Sequence, residues 1–199
     1  MNVACLDFEG VLVPEIWVCL AEQTNIEEFK LTTRDITDYD ELMRFRLEAM
    51  QKKGIKFHQL AAAANSLTPL PGAFDFLKWL SARFQVAILS DTFHELAAPL
   101  LAQLNYPMIL CHRLQVNDKG EVTGYKLRQT DPKRQSVRAF QSLNYKVVAT
   151  GDSYNDISML DQADHGMLFC PSDNVKKDHP EYAVAESYQD LKTMFSAVS

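Results

Sequence analysis

Three short apolar runs, each ending in polar residues, mark the predicted strands of the chain. Residues 3–6, 86–89 and 147–150 favour β-structure and lack the alternation of a half-exposed strand. Continuous apolar runs of this length are typical of strands that are covered on both faces of a parallel sheet. Segments of helical periodicity lie between them, so the pattern predicts right-handed β–α–β crossovers and an open parallel sheet. The predicted fold class is α/β, with a Rossmann-like, three-layer arrangement around that sheet.

Three helices beside the sheet are predicted from their start signals. The first covers residues 73–84, after a Pro-Gly pair, and the second covers residues 131–143. Asp131 is expected to cap the second helix, because it precedes a proline at the first helical position. Ser187 and Asp190 form a capping-box pattern for the last helix.

Two stretches depart from the strand–helix alternation. Residues 14–68 contain no convincing strand but three or four helical patterns, and the polar part at 27–37 is either a flexible region or a simple helix connection. Residues 114–127 alternate around the turn sequence Asn-Asp-Lys-Gly, which predicts a small β-hairpin. The predicted organisation is a catalytic core of residues 1–13 and 69–199 with an inserted helical-bundle cap of residues 14–68.

Bulk composition excludes several classes of function. The net charge of −6 and the pI near 5.3 argue against nucleic-acid binding, which requires a basic face. No apolar run approaches the length of a membrane span, and the N-terminus lacks the layout of a signal peptide, so a cytoplasmic location is expected. The four scattered cysteines have neither disulfide-framework nor zinc spacing, and they are interpreted as buried free thiols.

Polar residues at the strand ends are the candidate functional residues. Asp7, Ser90 and Asp152 each follow a predicted strand, and ligands of open α/β sheets bind outside the carboxyl ends of the strands. Asp7 and Asp152 can supply the hard carboxylate oxygens that Mg²⁺ prefers, leaving room for phosphate oxygens and water. Taken alone, Asp7 and Glu9 are equally compatible with an ordinary polar strand exit. Ser90 alone is also compatible with a helix cap.

Four motifs in order carry a resemblance to a known family. They are D-F-E-G-V at residues 7–11, Ser90 after Ile88 and Leu89, Lys133, and G-D-S-Y-N-D at residues 151–156. They resemble the four motifs of the haloacid dehalogenase superfamily. The helical insertion lies where the phosphoserine phosphatase branch of that superfamily carries a four-helix cap. Within the branch, the chain is most similar to bifunctional enzymes of threonine biosynthesis that also transfer a phosphoryl group from phosphoserine to homoserine.

The resemblance implies roles for the catalytic residues. Asp7 would be the nucleophile and a ligand of Mg²⁺, and Asp152 would complete the metal site. Glu9 would be the general acid and base, with its backbone carbonyl on the metal. Lys133 would balance the charges of nucleophile and phosphate, a task suited to the compact ammonium group. Asp156 would orient Lys133 or a metal-bound water.

The resemblance also implies a set of substrate-binding residues. Ser90 and the backbone N–H of Asp91 would hold the phosphoryl oxygens together with Lys133, and Asn155 would contact the substrate. Glu15 and Arg46 match the positions that bind the ammonium and carboxylate groups of phosphoserine. Taken alone, Arg46 is more typical of a surface charge. The sequence leaves open whether the protein is a monomer or a homodimer.

Three departures from the family pattern bear on the reaction. Glu9 stands where the second carboxylate is usually Asp, Gly10-Val11 replaces a small hydroxyl pair, and Asp91-Thr92 stands where glycines are common. The extra methylene of Glu9 moves its acid by about one bond length, enough to change which attacking oxygen is well placed. Phosphoserine with homoserine as acceptor is therefore the expected substrate pair. The alternatives are another small phosphate monoester as substrate, or a phosphate-binding regulator without activity.

Overall fold

The computed structural model describes residues 1–33, 35–36 and 38–198, and a sheet of seven strands lies at its centre. The strands are β1 (Asn2–Leu6), β2 (Gln85–Phe93), β3 (Ile109–Val116), β4 (Val122–Lys126), β5 (Lys146–Gly151), β6 (His165–Phe169) and β7 (Ala183–Ala185). Their order is β4-β3-β2-β1-β5-β6-β7. Every neighbouring pair is parallel except β3 and β4. The predicted α/β class with a largely parallel sheet is confirmed.

The described residues form nine α-helices. They are α1 (Ile16–Thr24), α2 (Tyr39–Lys53), α3 (Phe57–Ser66), α4 (Ala73–Ser81), α5 (His94–Gln103), α6 (Pro132–Ser142), α7 (Ile157–Gln162), α8 (Asp173–Asp178) and α9 (Tyr188–Ala197). Two short 3₁₀ helices, Glu27–Lys30 and Tyr154–Asp156, accompany them. Within the described part of the chain, no helix combines the length and the apolarity that crossing a membrane requires.

Alternate residues of the central strands enter two separate apolar cores. On β1, Ala4 and Leu6 pack in one core, whereas Val3 and Cys5 pack in the other. Because successive side chains of a strand point to opposite faces, this division shows that both faces of the sheet are covered. This burial on both faces explains why the apolar runs in the sequence are continuous.

The order of the strands creates a crevice beside β1. The chain moves outward from β1 through β2 to β3, then returns to place β5 on the other side of β1. Leu6 pairs with Ile88 on one side and with Thr150 on the other. The residues that follow these positions therefore emerge together at the carboxyl edge, where the strand order reverses.

Three α-helices and a 3₁₀ helix occupy the chain between β1 and the following core helix. Residues 14–68 contain α1, Glu27–Lys30, α2 and α3, and their described residues include no strand of the sheet. Asp38 caps α2 by accepting a hydrogen bond from the Glu41 N–H, and Gly54 ends that helix in the left-handed conformation. Of the polar stretch at 27–37, residues 34 and 37 lie outside the described residues.

The hairpin prediction is confirmed, with a longer first strand than expected. β3 and β4 pair in antiparallel register, and the side-chain oxygen of Asn117 in the turn accepts from the N–H groups of Lys119 and Glu121. β3 also begins earlier, at Ile109, and pairs in parallel with β2. The hairpin is thus an extension of the central sheet.

Two expectations are wrong in detail. Asp131 stands at the N-cap position of α6, but its side chain makes no capping bond because the residue has a φ of 47° and its carboxylate accepts from the Ser158 hydroxyl. All four cysteines, Cys5, Cys19, Cys111 and Cys170, are free. Cys5 is buried as expected, but Cys170 is exposed.

Candidate active site

Glycines let the catalytic segments approach each other closely at the carboxyl edge. Gly10 follows the end of β1 with a φ of +83°, and a Cβ atom there would lie 2.5 Å from the Asp152 carboxylate. A Cβ atom on Gly151 would lie 2.3 Å from the carboxyl carbon of Asp156. Only glycine fits both positions without displacing a carboxylate. This close approach is why the loops after β1 and β5 carry glycine beside their acidic residues.

Three buried carboxylates form one cluster at the strand ends. Asp7, Asp152 and Asp156 each offer an oxygen, and these oxygens lie within 4.8 Å of one another. Burial and the charge of Asp156 raise the pKa of Asp7 well above its usual value, although Lys133 acts in the opposite direction. Buried carboxylates this close repel each other unless a cation compensates them. The donor set fits a hard divalent cation such as Mg²⁺.

Asp156 also organises the loop that carries Asp152. One of its oxygens accepts from the backbone N–H groups of Asp152 (2.9 Å) and Ser153 (3.1 Å). The other oxygen accepts from Lys133 Nζ at 2.6 Å. With both oxygens bound in this way, Asp156 acts mainly as a support for Lys133 and for the Asp152 loop.

Lys133 is a buried ammonium group among three carboxylates. Its Nζ lies 2.6 Å from Asp156, 3.0 Å from Asp7 and 3.5 Å from Asp91. Burial alone would lower the pKa of Lys133, but the charges of Asp156, Asp7 and Asp91 outweigh it and raise the pKa well above its usual value. The side chain therefore carries a fixed positive charge beside Asp7.

Ser90 and Asp91 lie in the C-terminal part of β2, the neighbour of β1 in the sheet. The Ser90 hydroxyl accepts from the Thr92 N–H, and Ser90 and Asp91 both line the cavity described below. Asn155 donates to Asp91 Oδ2 at 2.7 Å and accepts from the Thr33 hydroxyl at 3.1 Å. Burial would raise the pKa of Asp91, but Lys133 and hydrogen bonds from His112 and Asn155 lower it far below its usual range. Asp91 is therefore ionised.

Glu9 is held apart from the carboxylate cluster. Its carboxylate accepts from the Ile16 N–H at 2.8 Å, at the start of α1. Burial raises its pKa, while the Ile16 bond, the charge of Arg46 and a hydrogen bond from Thr92 act against that rise. Glu9 lines the same cavity as Asp7. A carboxyl group with a raised pKa beside a candidate nucleophile is suited to exchanging protons.

Arg46 reaches the cavity from α2. It is 5% exposed, its guanidinium lies 4.6 Å from the centre of the Trp17 ring, and Nη2 donates to the Leu31 carbonyl. Burial lowers its pKa to about 10, while the charges of Glu15 and Glu9 act in the opposite direction. Its Nε has no hydrogen-bond partner among the described residues, so a buried donor remains available beside Glu15.

A cavity of about 50 Å³ lies between these groups. It is lined by Asp7, Glu9, Glu15, Trp17, Thr32, Thr33, Tyr39, Leu42, Arg46, Ser90, Asp91, Thr92, Ser153 and Asn155. The volume is room for a few water molecules.

The structure brings the predicted residues together and adds three that sequence analysis does not identify. Tyr39 donates its hydroxyl to the Asp91 carbonyl at 2.7 Å, Thr92 contacts Glu9, and His112 lies 3.4 Å from Asp91 Oδ1. The Asp91-Thr92 pair in place of glycines is the one sequence signal near them. Tyr39 and His112 stand in ordinary helix and strand patterns, and their contacts depend on tertiary packing.

The carboxyl edge of this parallel sheet presents clustered carboxylates, a buried lysine and a serine. Together these groups are suited to holding a cation and an anion side by side. A model of haloacid dehalogenase-like hydrolases matches residues 8–161, which is most of the chain. The protein belongs to the haloacid dehalogenase-like hydrolase family.

Similar proteins match most or all of the chain. Over 199 residues it is 52% identical to "phosphoserine phosphatase ThrH" of Pseudomonas aeruginosa, with 100% of this chain and 97% of that protein matched. A phosphoserine phosphatase of Methanocaldococcus jannaschii is 26% identical over 184 residues, covering 86% of each protein.

Solved structures share the fold at low sequence identity. A phosphoserine phosphatase in its apo form superposes with a TM-score of 0.79 at 24% identity, covering 98% of each chain. A phospho-aspartyl intermediate analogue of a phosphoserine phosphatase superposes with a TM-score of 0.73 at 23% identity, covering 92% of this chain and 91% of that one.

Proposed function

We propose that the protein is a magnesium-dependent phosphoserine phosphatase that works through an aspartyl-phosphate on Asp7. One observation carries the proposal: Asp7 lies 3.0 Å from the buried ammonium of Lys133 and faces a cavity that also contains Arg46 and Glu15. The candidate nucleophile thus contacts a charge-balancing cation and also faces a cavity that holds two groups of opposite charge for an amino acid. The relatives at 52% and 51% identity are phosphoserine phosphatases, which supports the same substrate.

In the first step, the Asp7 carboxylate attacks phosphorus and the bond between phosphorus and the serine oxygen breaks. Ser90, the Asp91 N–H and Lys133 hold the phosphoryl oxygens as their charge redistributes. Glu9 donates a proton to the departing serine oxygen, and its raised pKa favours the protonated form that this step requires. Forming an acyl-phosphate divides a difficult displacement into two easier ones.

In the second step, Glu9 has lost its proton and acts as the base. It accepts a proton from the attacking hydroxyl, whose oxygen bonds to phosphorus while the bond to Asp7 breaks. Water as the attacking group gives inorganic phosphate. The hydrogen bond from the Ile16 N–H holds one Glu9 oxygen and so fixes the orientation of the carboxyl group for proton transfer.

We assign the metal to Asp7, Asp152 and the backbone carbonyl of Glu9. Mg²⁺, when bound, supplies positive charge that offsets the repulsion between the carboxylates and an anionic phosphate. Asp156 stays committed to Lys133 and the backbone of the Asp152 loop. The close, buried carboxylates and the raised pKa of Asp7 support this assignment.

We propose that residues 14–68 act as a cap on a core of residues 1–13 and 69–199. Contacts between the two parts surround the cavity: Tyr39 donates to the Asp91 carbonyl, and Thr33 donates to Asn155. Since the cavity is small for an amino-acid phosphate, we expect these contacts to break when substrate enters and to re-form to exclude bulk water.

The function is tested with a panel of phosphate esters. Purified protein with Mg²⁺ is expected to hydrolyse phosphoserine with a kcat/KM at least about tenfold above that for nucleotide, sugar or enol phosphates, and excess chelator should abolish turnover. Preference for another ester would identify a phosphatase of the same mechanism with a different substrate. No turnover of any ester would favour a phosphate-binding regulator.

Replacement of Arg46 by lysine should impair recognition of phosphoserine specifically. Lysine keeps the charge but loses the planar fork that matches a carboxylate and stacks on Trp17. The expected result is a KM for phosphoserine raised about 10- to 100-fold, a range typical of a lost charge-assisted hydrogen bond. Turnover of p-nitrophenyl phosphate, which lacks an amino-acid group, should stay within about threefold of wild type.

Arg44→Lys is the matched control, because Arg44 lies on the exposed face of the same helix. It should leave both substrates unaffected. Equal losses on both substrates in Arg46→Lys would show that Arg46 supports folding or chemistry, and the assigned recognition role would be wrong.

We further propose that homoserine competes with water as phosphoryl acceptor. The longer reach of Glu9, compared with the usual aspartate, places its base one bond length further into the cavity and supports attack by an organic hydroxyl. With phosphoserine and saturating homoserine, mass spectrometry should detect phosphohomoserine beside serine. Phosphate and serine alone would leave a phosphatase without transferase activity.

Shortening Glu9 to aspartate should change the product ratio. The gap left by the lost methylene is expected to lower total turnover about 10- to 100-fold, as misplacement of a reacting group by about 1 Å does. Water can adapt to the gap more easily than homoserine, so the ratio of phosphohomoserine to phosphate should fall. An unchanged ratio of phosphohomoserine to phosphate would show that the length of the Glu9 side chain does not determine the choice of acceptor.

A further inference from the structure

His112 is a buried side chain beside the proposed active site to which no role has been assigned. It lies on β3, is 2% exposed, and packs against the rings of Tyr39 and Phe93 at centroid distances of 5.9 and 6.5 Å. Its ring is therefore fixed in position. A buried histidine costs free energy unless its polar atoms find partners.

The protonation of the His112 ring follows from its hydrogen bonds. Nδ1 accepts from the backbone N–H of Arg128 at 3.2 Å, so this nitrogen carries no proton. In a neutral imidazole the proton must then be on Nε2. Nε2 lies 3.4 Å from Asp91 Oδ1. Among the described residues Nε2 makes no hydrogen bond of good geometry, and the nearby acidic group is the carboxylate of Asp91.

The two oxygens of Asp91 are held from different sides. Oδ1 faces His112, whereas Oδ2 accepts from Asn155 at 2.7 Å and lies 3.5 Å from Lys133 Nζ. Asp91 directly follows Ser90, so its negative charge lies next to the proposed site for the phosphoryl group. A carboxylate at this point would repel an incoming phosphate and compete with Asp7 for Lys133 if it were free to rotate.

We propose that His112 is a positioning residue for phosphoryl transfer, acting through Asp91. Through the electrostatic attraction of Nε2 for Oδ1 at 3.4 Å, it keeps the Asp91 carboxylate turned away from the phosphoryl site and leaves Lys133 close to Asp7. The same orientation lets Oδ2 hold the Asn155 amide, whose oxygen accepts from Thr33 of the α1–α3 segment. The inference rests on the proposed function of the site, but it concerns the phosphoryl end and applies to any ester that the enzyme cleaves.

Two replacements of His112 separate positioning from packing. His112→Phe retains a ring that packs on Tyr39 and Phe93 but cannot donate to Asp91. His112→Gln loses the ring but places an amide N–H near the position of Nε2. Both variants lose the acceptor for the Arg128 N–H, so that loss cancels in the comparison. Each variant is prepared alone and combined with Asp91→Asn, and kinetics are measured with Mg²⁺ on phosphoserine and p-nitrophenyl phosphate.

His112→Phe is expected to lower kcat about 10- to 100-fold on both esters, the range for removal of a hydrogen bond to a charged group. His112→Gln should stay within about threefold of wild type. In the Asp91→Asn background, His112→Phe should cause no further loss beyond about twofold, because residues that act through one another are not additive. Thermal unfolding of each variant shows whether it folds.

Several results would overturn the inference. One is a wild-type kcat in His112→Phe, and another is an equal loss of kcat in the two single variants. A kcat in His112→Gln below that of His112→Phe would also overturn it. So would a double variant in which the losses of kcat from His112→Phe and Asp91→Asn multiply. Wild-type protein that cleaves p-nitrophenyl phosphate but not phosphoserine would contradict the proposed substrate and leave this comparison valid. Wild-type protein that cleaves neither ester would overturn both proposals.

Discussion

Replacement of Asp7 by asparagine is expected to reduce hydrolysis of phosphoserine by at least about 10⁴-fold, as loss of a nucleophile does in enzymes that work through covalent intermediates. The amide is nearly the same shape but is not nucleophilic, so no acyl-phosphate can form. The loss should appear in kcat for every ester, including p-nitrophenyl phosphate. Stopped assays at saturating substrate and Mg²⁺ measure it.

The same variant should remain folded. Burial and the neighbouring Asp156 disfavour the ionised form of Asp7, so a neutral amide relieves part of the repulsion in the metal-free protein. A melting temperature at or above that of the wild type is expected. Asp118→Asn, the same change at an exposed position of the hairpin turn, is the control and should be fully active. A folded Asp7→Asn that retains a tenth of wild-type turnover would exclude Asp7 as nucleophile.

Replacement of Lys133 by methionine is expected to impair stability and turnover together. The ammonium is the shared partner of Asp7, Asp91 and Asp156, and its removal leaves buried carboxylates without compensation. Breaking a buried ion pair in this way typically costs about 3–5 kcal/mol of unfolding free energy. Chemical denaturation without metal measures that cost. Loss of the positive charge beside the phosphoryl group should also lower kcat about 10²- to 10³-fold.

Mg²⁺ distinguishes the two effects of Lys133→Met. The cation should restore part of the stability, because it compensates Asp7 and Asp152, but it should not restore kcat, because it does not replace the ammonium at the phosphoryl oxygens. Lys78→Met, at an exposed position of α4, is the control and should change neither quantity. An unchanged unfolding free energy in Lys133→Met would contradict the buried ionic network.

The strand ends of the site are predictable from the sequence because parallel strands impose their geometry. Continuous apolar runs identify β1, β2 and β5, and the polar residue after each run has to emerge at one edge. The apolar pattern alone therefore brings Asp7, Ser90 and Asp152 together. The burial of Lys133 and the contact of Arg46 with Trp17 do not follow from the sequence, since helical periodicity alone treats both residues as surface charges.

The other features of the fold and the site depend on tertiary packing, which the local sequence pattern does not encode. His112 lies in an ordinary apolar strand, and its approach to Asp91 is set by the pairing of β3 with β2 and by the irregular register between them. β6 and β7 are short, and neither is bounded by strong turn signals at both of its ends. The sequence pattern therefore does not predict them. Asp131 stands in a sequence context typical of a helix cap, but its carboxylate accepts a hydrogen bond from the Ser158 hydroxyl and does not cap α6.

The most direct measurement is detection of the phosphorylated enzyme during turnover. Protein mixed with labelled phosphoserine and Mg²⁺ is quenched in acid within milliseconds, digested and analysed by peptide mass spectrometry. A labelled, base-sensitive peptide that contains Asp7 in the wild type and is absent in Asp7→Asn is the predicted result. Steady turnover with no labelled peptide at any quench time, or a label on another residue, would contradict the account.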